Sequence, residues 1–408
     1  MKKVLASLCV IALASTSFAG EEKDLKKALE DQGIYVETAQ KGITLSGYVD
    51  TSYTYQFAGN SASQPASTNS EANRRQFDTD HNDFNINAFK LALEKALPSD
   101  NTWAAGFRAD LMFGEDAKIL AGTDTGTGSI GDGVYLEQAY VSFRVPVGNG
   151  IDFKVGKFVT LLGYEVIESP LNLNFSRGLL FTNAIPLTHT GVLASYKFND
   201  IVDAQLGVVN GWNNSDSASA VGLETGFGSK AIIGRVNVTA PGGNANLANS
   251  FVWSPDGDAN GGTGFTENEP AFIWDVVGNW TPKFANDKLL LGFNTDLGVA
   301  DDANTPGLAN VNSGVTWWGA ALYAKYQFTK VFSLAGRGEY FHDSNGTKIG
   351  LFIPGHSVDL YSFTLTAGFD IWENLLTRVE YRLDTGDSGS LGNDDFQHQI
   401  AVNLVYSF

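Results

Sequence analysis

The stretch Asp395–Phe408 reads D-F-Q-H-Q-I-A-V-N-L-V-Y-S-F. Successive side chains of a strand point to opposite faces. Phe396, Ile400, Val402, Leu404, Tyr406 and Phe408 then share one face, interrupted by His398, while Gln397, Gln399, Ala401, Asn403, Val405 and Ser407 share the other. One side is apolar and aromatic, the other polar or small. A lone strand of this kind is a template for unwanted pairing, and a closed transmembrane barrel removes the hazard by pairing its last strand with its first.

Working outward, the same alternation opens at Ile43. Ile43, Leu45, Gly47, Val49, Thr51, Tyr53, Tyr55 and Phe57 fall on one face, and Thr44, Ser46, Tyr48, Asp50, Ser52, Thr54 and Gln56 on the other. It recurs near Trp103 to Phe113, Leu289 to Val299, Thr316 to Phe328, Phe332 to His342, Asp359 to Ile371 and Leu375 to Leu383, with weaker stretches between. The reading predicts an all-β transmembrane antiparallel barrel of about 16 strands over residues 42–408. Long connections near 58–82, 114–133, 160–190, 213–228, 255–270, 301–314, 343–357 and 385–394 alternate with short polar ones such as Asn199-Asp200, Thr329-Lys330 and Glu373-Asn374. Short periplasmic turns and long extracellular loops produce that sorting. In the strand near 83–96, Phe84 and Ile86 are out of phase with Phe89, Leu91 and Leu93, which predicts a bulge or a displaced start. Tyr53, Tyr55, Phe57, Trp317 and Trp318 are expected in an outer aromatic belt, and Trp280, Phe328, Trp372, Tyr406 and Phe408 in an inner one.

Residues 1–19 read as a secretory signal: Lys2-Lys3, the apolar run Val4 to Leu13, then Ser17-Phe18-Ala19 before Gly20. Cleavage would remove Cys9, the one cysteine, so the mature chain is expected to lack thiol chemistry. Residues 20–41 are expected to form a periplasmic segment with a short helix. The composition, with 27 Phe, 14 Tyr, 8 Trp, 45 Gly and only 11 Pro, suits many strands and turns. A net charge of −18 argues against nucleic acid as a partner.

If the apolar face meets lipid, the other meets water. Its charged members are then Asp50, Arg108, Asp110, Arg144, Lys154, Arg235, Asp275, Asp296, Lys325, Arg337, Glu339, Arg378, Glu380 and Arg382. The segment 160–190 is too apolar to hang in water and is expected to fold inward, carrying Glu165, Glu168, Arg177 and His189 toward the path; the alternative is packing on a neighbouring subunit. The predicted pore-lining and constriction set is Arg108, Asp110, Glu165, Glu168, Arg177, Arg337, Glu339, Arg378, Glu380 and Arg382. Asp256, Asp258, Asn260, Gly261 and Glu267 match the spacing of a calcium loop, though no helices flank them; an acidic, glycine-rich external loop is the other reading. No catalytic set is identified, and no cofactor other than this Ca2+ is expected.

G-K-F at 156–158, L-G-Y-E at 162–165, N-x-N-x-S-R at 172–177, P-L-T-H-T-G at 186–191 and V-V-N-G-W at 208–212 resemble the putative beta-barrel porin-2, or OmpL-like, family. The resemblance implies an outer-membrane porin in contact with outer-membrane lipid, giving passive diffusion of small hydrophilic solutes or ions. A homotrimer is expected by analogy with general porins. A structural or adhesive barrel with acidic loops and an outer-membrane hydrolase are the rival classes.

Overall fold

The computed structural model describes residues 42–57, 75, 77–78, 81–124, 129–131, 133–213, 215, 230–255, 270–300, 314–346, 348–349, 357–387, 390–391 and 396–408. The expected signal (1–19), the N-terminal segment 20–41 and the calcium-like motif, with Asp256, Asp258, Asn260 and Glu267, lie outside the described residues.

The strands are β1 Thr44–Phe57, β2 Asp83–Lys95, β3 Ala104–Phe113, β4 Val134–Val145, β5 Ile151–Val159, β6 Thr188–Lys197, β7 Val202–Val209, β8 Ala231–Thr239, β9 Ala245–Ser254, β10 Ala271–Trp280, β11 Leu289–Ala300, β12 Val315–Gln327, β13 Phe332–Asp343, β14 Val358–Trp372, β15 Leu375–Gly386 and β16 Phe396–Ser407. Each pairs antiparallel with the next. The ring closes between β1 and β16, from Tyr48↔Ser407 to Phe57↔His398. A short strand, Ser129–Gly131, pairs with the start of β4 at the rim and stays out of the ring. The result is a closed 16-strand antiparallel barrel.

Alternation builds the two faces. On β16, Ile400, Val402, Leu404 and Tyr406 are 40–45% exposed, whereas Gln399, Ala401, Asn403 and Val405 between them are 0–1% exposed. The first face is the outer wall, and the apolar band is the surface a bilayer requires.

The phase break in β2 is a bulge. Asp50 pairs with Ala88 and Thr51 with Ile86, leaving Asn87 as the extra residue. Its amide turns inward, donates to Asp50 Oδ1 at 3.0 Å and accepts from Ser52 Oγ at 2.9 Å. Phe84 and Ile86 can then face outward with Phe89 and Leu91. A second bulge falls between β3 and β4. Asp110 pairs with Gln138 and Leu111 with Leu136, so Glu137 is the extra residue and is fully buried in the interior.

The short connections are built by their own side chains. Asn199 Oδ1 accepts the Ile201 and Val202 N–H groups at 2.8 and 2.9 Å. Thr329 Oγ1 accepts those of Val331 and Phe332 at 3.2 and 2.9 Å. Asn374 adopts φ 66°, a conformation asparagine tolerates. Trp280, Phe328, Trp372 and Phe408 are exposed near this short-turn end, and Tyr55, Phe57 and Trp318 near the other. Trp317 departs from the expected belt. Neighbours in a strand face opposite ways, so only one of Trp317 and Trp318 can reach lipid. Trp317 points inward and is fully buried, its Nε1 donating to Ala184 O at 3.1 Å. Its cross-strand partner is Gly298, where an added Cβ would lie 1.9 Å from the indole.

Candidate constriction inside the barrel

β5 ends at Val159 and β6 begins at Thr188, so the connection spans 160–187. It turns into the barrel. Ser169–Leu171 forms a 3-10 turn. Two helices lie inside: α1, Glu115–Thr123, from the β3–β4 connection, and α2, Leu179–Asn183, from the segment itself. Ile167, Leu179, Leu180, Phe181, Ile185 and Leu187 join an interior apolar cluster with Met112, Leu120, Phe158, Trp212, Trp317 and Phe341. Water would penalise these side chains in an open loop, and the wall supplies their cover. His189, expected on the segment, belongs to β6; it is buried, with Nε2 3.1 Å from Thr160 Oγ1.

Inward charges of the wall grip this segment. Arg337 on β13 donates through Nη1 to Glu165 Oε1 and Ser176 O, both at 2.6 Å, and through Nη2 to Ser176 Oγ at 3.2 Å and Thr364 Oγ1 at 3.0 Å. Its Nε lies 2.8 Å from Glu339 Oε2. Glu165 Oε2 accepts the Gly178 N–H at 2.6 Å. A Cβ there would lie 2.2 Å from Glu339 Oε1 and would push the carboxylates out of place.

On β15, Glu380 accepts the N–H groups of Phe175 and Ser176 at 2.6 and 3.0 Å and the Thr366 hydroxyl at 2.7 Å. Arg378 Nη1 donates to the carbonyls of Ser169, Asn172 and Asn174 at 3.0, 3.2 and 3.0 Å. Arg382 Nη1 donates to Arg177 O at 2.7 Å, and its Nε to Asp384 at 2.9 Å. These contacts satisfy backbone groups that an irregular buried segment would otherwise leave orphaned.

The root of the segment is held farther round the wall, on β8 to β11. Leu161 O accepts from Arg235 Nη1 at 3.0 Å and Ser250 Oγ at 3.1 Å. The Gly163 and Tyr164 N–H groups donate to Asp275 and Asn294, both at 3.2 Å. The Tyr164 ring stacks on Tyr323 at 4.2 Å, lying where Gly292 leaves room.

A third cluster joins the segment to β2–β4. The Lys90 ammonium sits among Asp110, Glu137 and Glu168. Those three carboxylates approach within 4.8 Å of one another, a spacing that would suit a metal. The ammonium already fills their centre and neutralises part of their charge. Burial works to raise Glu168, and Lys90 beside it overrides that and holds its carboxyl below the usual range. Arg108 bridges Asp110 and half-exposed Glu94. Arg177 donates to Asp116 Oδ2 of α1 at 2.7 Å and to Ile167 O, with its guanidinium 4.5 Å from the Phe77 ring centre. Burial pushes the Asp116 carboxyl up to about 6, against the pull of Arg177 and with help from Asp50.

The predicted residues therefore fall into three groups: Glu165, Arg337 and Glu339; Arg378, Glu380 and Arg382 on segment backbone; and Arg108, Asp110 and Glu168 around Lys90. Arg177 pairs with Asp116 instead. Of the predicted set, Arg108 and Glu168 are half-buried and the others are buried against the segment or one another. The wetter interior lies toward the short-turn end, where Glu94, Arg108, Lys154, Asp203 and Lys325 are half-buried.

Sequence reasoning missed Lys90, Glu137, Asp116 and Arg75. Lys90 carries an alternation signal, between inward Ala88 and Ala92. Glu137 is hidden by its bulge. Asp116, and Arg75, which pairs with Asp384 at 2.7 Å, lie outside strands and carry no periodic signal.

The sequence profile of a family described as "Putative beta-barrel porin-2, OmpL-like" matches residues 42–408. No curated protein matches the chain. Among solved structures, the outer membrane channel DcaP of Acinetobacter baumannii is similar at 12% identity and TM-score 0.59, over 92% of this chain and 100% of that one. The anion-selective porin from Comamonas acidovorans is similar at 10% identity and TM-score 0.59, over 90% and 99%. OmpT of Vibrio cholerae, in its trimer form, is similar at 12% identity and TM-score 0.54, over 90% and 99%. At these identities the likeness establishes the fold.

Proposed function

The chain belongs to the putative beta-barrel porin-2, OmpL-like family of outer-membrane porins, and from that premise we propose a passive diffusion pore whose width is set by residues 160–187. Small hydrophilic solutes or ions are the cargo, and no chemical step is involved. One observation carries this reading: the segment lies within the ring and is bonded to wall residues on β8, β9, β10, β11, β13 and β15. The half-buried charges toward the short-turn end include both signs. Such a wall favours hydrated solutes over apolar ones. A homotrimer in outer-membrane lipid is part of the proposal, supported by the trimeric form of one similar barrel.

Deleting Leu171–Phe181 and measuring conductance in planar bilayers tests the role of the segment. Conductance is expected to rise. An unchanged value would reject the segment as the narrowing element.

A further inference from the structure

Asp275 on β10 and Asp296 on β11 stand directly opposite each other in register. Both point into the barrel, with 0% and 2% exposure. Directly opposite residues of an antiparallel pair have Cβ atoms about 4.5–5.5 Å apart, so the two carboxyl groups adjoin. The donors around them are unevenly shared. Asp275 Oδ2 accepts Asn294 Nδ2 at 2.8 Å and the Gly163 N–H at 3.2 Å. Both oxygens of Asp296, and Oδ1 of Asp275, are buried with no protein donor.

Two carboxylate oxygens are both acceptors, so contact between them requires a proton, and two adjacent buried anions cannot both stay ionised without compensation. The donor pattern decides which group carries the charge. On this pattern the charge belongs on Asp275, which has two N–H donors, and the proton on Asp296.

Arg235 on β8 is the cation that faces Asp275, and its Nη1 is committed to Leu161 O. Asp203 on β7 faces Arg235 in turn. β9 contributes Ser250 opposite Asp275, and β12 contributes Gly319 opposite Asp296. The segment contributes Gly163 and Tyr164, and β11 contributes Asn294. Arg235, Ser250, Asp275 and Asn294 all bond residues 161–164, so the carboxyl pair lies beneath the root of the constriction.

We propose that Asp275 and Asp296 form a proton-binding site that latches the root of segment 160–187 to the wall and releases it when the shared proton leaves. This rests on the porin reading above. In the step, the Asp296 O–H bond breaks, the proton passes to a solvent base, and the pair goes from one negative charge to two. The second carboxylate must then be hydrated. Water entering the site competes for the Gly163 N–H held by Asp275 and for Asn294, which holds the Tyr164 N–H, and so frees the root.

The test is single-channel recording of the full chain in planar bilayers from acidic to alkaline pH, with infrared difference spectra of the same samples. Wild-type conductance is expected to increase with pH, with parallel loss of the carbonyl band of a buried protonated carboxyl. Asp296→Asn keeps the volume and replaces the O–H donor with N–H. It should abolish the conductance change and remove this pair's share of the band, the share of Asp116 remaining, and leave conductance at the low-pH level. Conducting wild-type channels with a flat pH profile, or a variant that retains the wild-type profile, would overturn the latch. Channels silent at every pH would instead count against the porin reading, and the infrared band would then decide the proton site alone. If the variant does not fold, absence of the band in wild type is enough to refute the site.

Discussion

Arg337→Met is the most direct perturbation of the constriction. The guanidinium is 1% exposed and is bonded to two carboxylates, one backbone carbonyl and two hydroxyls. Methionine fills much of the volume but leaves Glu165 and Glu339 facing each other, with side-chain exposures of 3% and 0%. Removing one partner of a buried ion pair costs about 3–5 kcal/mol, because the surviving charge has lost its compensation. At about 1.4 kcal/mol per tenfold change, that shifts the docked-to-undocked balance of the segment by roughly 10² to 10³ or more. The strands and their hydrogen-bond ladder are untouched, so the barrel should still close. Single-channel recordings should show larger and noisier currents, while heat-modifiable migration on gels reports an intact barrel. The triple variant Arg337→Met, Glu165→Gln, Glu339→Gln removes the orphaned charges as well and should return currents toward wild type. A folded Arg337→Met barrel with wild-type current amplitude and noise would refute the clamp.

Gly292→Val places carbon where the Tyr164 ring lies, since the Cβ would be 2.5 Å from ring atoms. It should cost about 1–3 kcal/mol of overpacking and make the segment root cleavable by chymotrypsin; unchanged cleavage would count against the docking described. Asp116 has its folded-state value raised from 3.8 to about 6. Its protonated form is therefore favoured by folding, so its contribution is fully present below the unfolded value and is lost as pH rises through about 6. The amount is on the order of 3 kcal/mol. Asp116→Asn should flatten that part of the stability–pH profile in chemical unfolding, and an unaltered slope would place the titration elsewhere.

The ring was legible because every strand has one apolar outward face and one inward face, which imposes a period of two on the sequence. The bulge at Asn87 was legible for the same reason: it displaces Phe84 and Ile86 from the phase of Phe89 and Leu91. The bulge at Glu137 carried the same signal, since Leu136 is out of phase with Val141 and Phe143, but two adjacent polar residues, Glu137 and Gln138, blur the alternation there. Segment 160–187 announced itself by apolar content without strand periodicity. What Arg378 and Glu380 hold was not legible. Their partners are backbone groups of Ser169, Asn172, Asn174, Phe175 and Ser176, and only the path of the segment brings these to β15. The sequence reading treats Arg378 and Arg382 as charges facing solute, and in the structure both are spent on the segment. Trp317 shows the limit of reading aromatic residues by position along a strand without their parity.

The pairing of β1 with β16 has a kinetic consequence. Thr51 and Leu404 meet although 353 positions separate them along the chain. Every other strand zips to a sequence neighbour, so hairpins can form early and independently. The seam alone demands that a ribbon of nearly the whole polypeptide curl until its margins touch. Joining such distant parts carries the largest loop-closure entropy in the molecule. Substitutions along that seam should therefore slow maturation in the membrane more than equal losses of contact elsewhere in the wall.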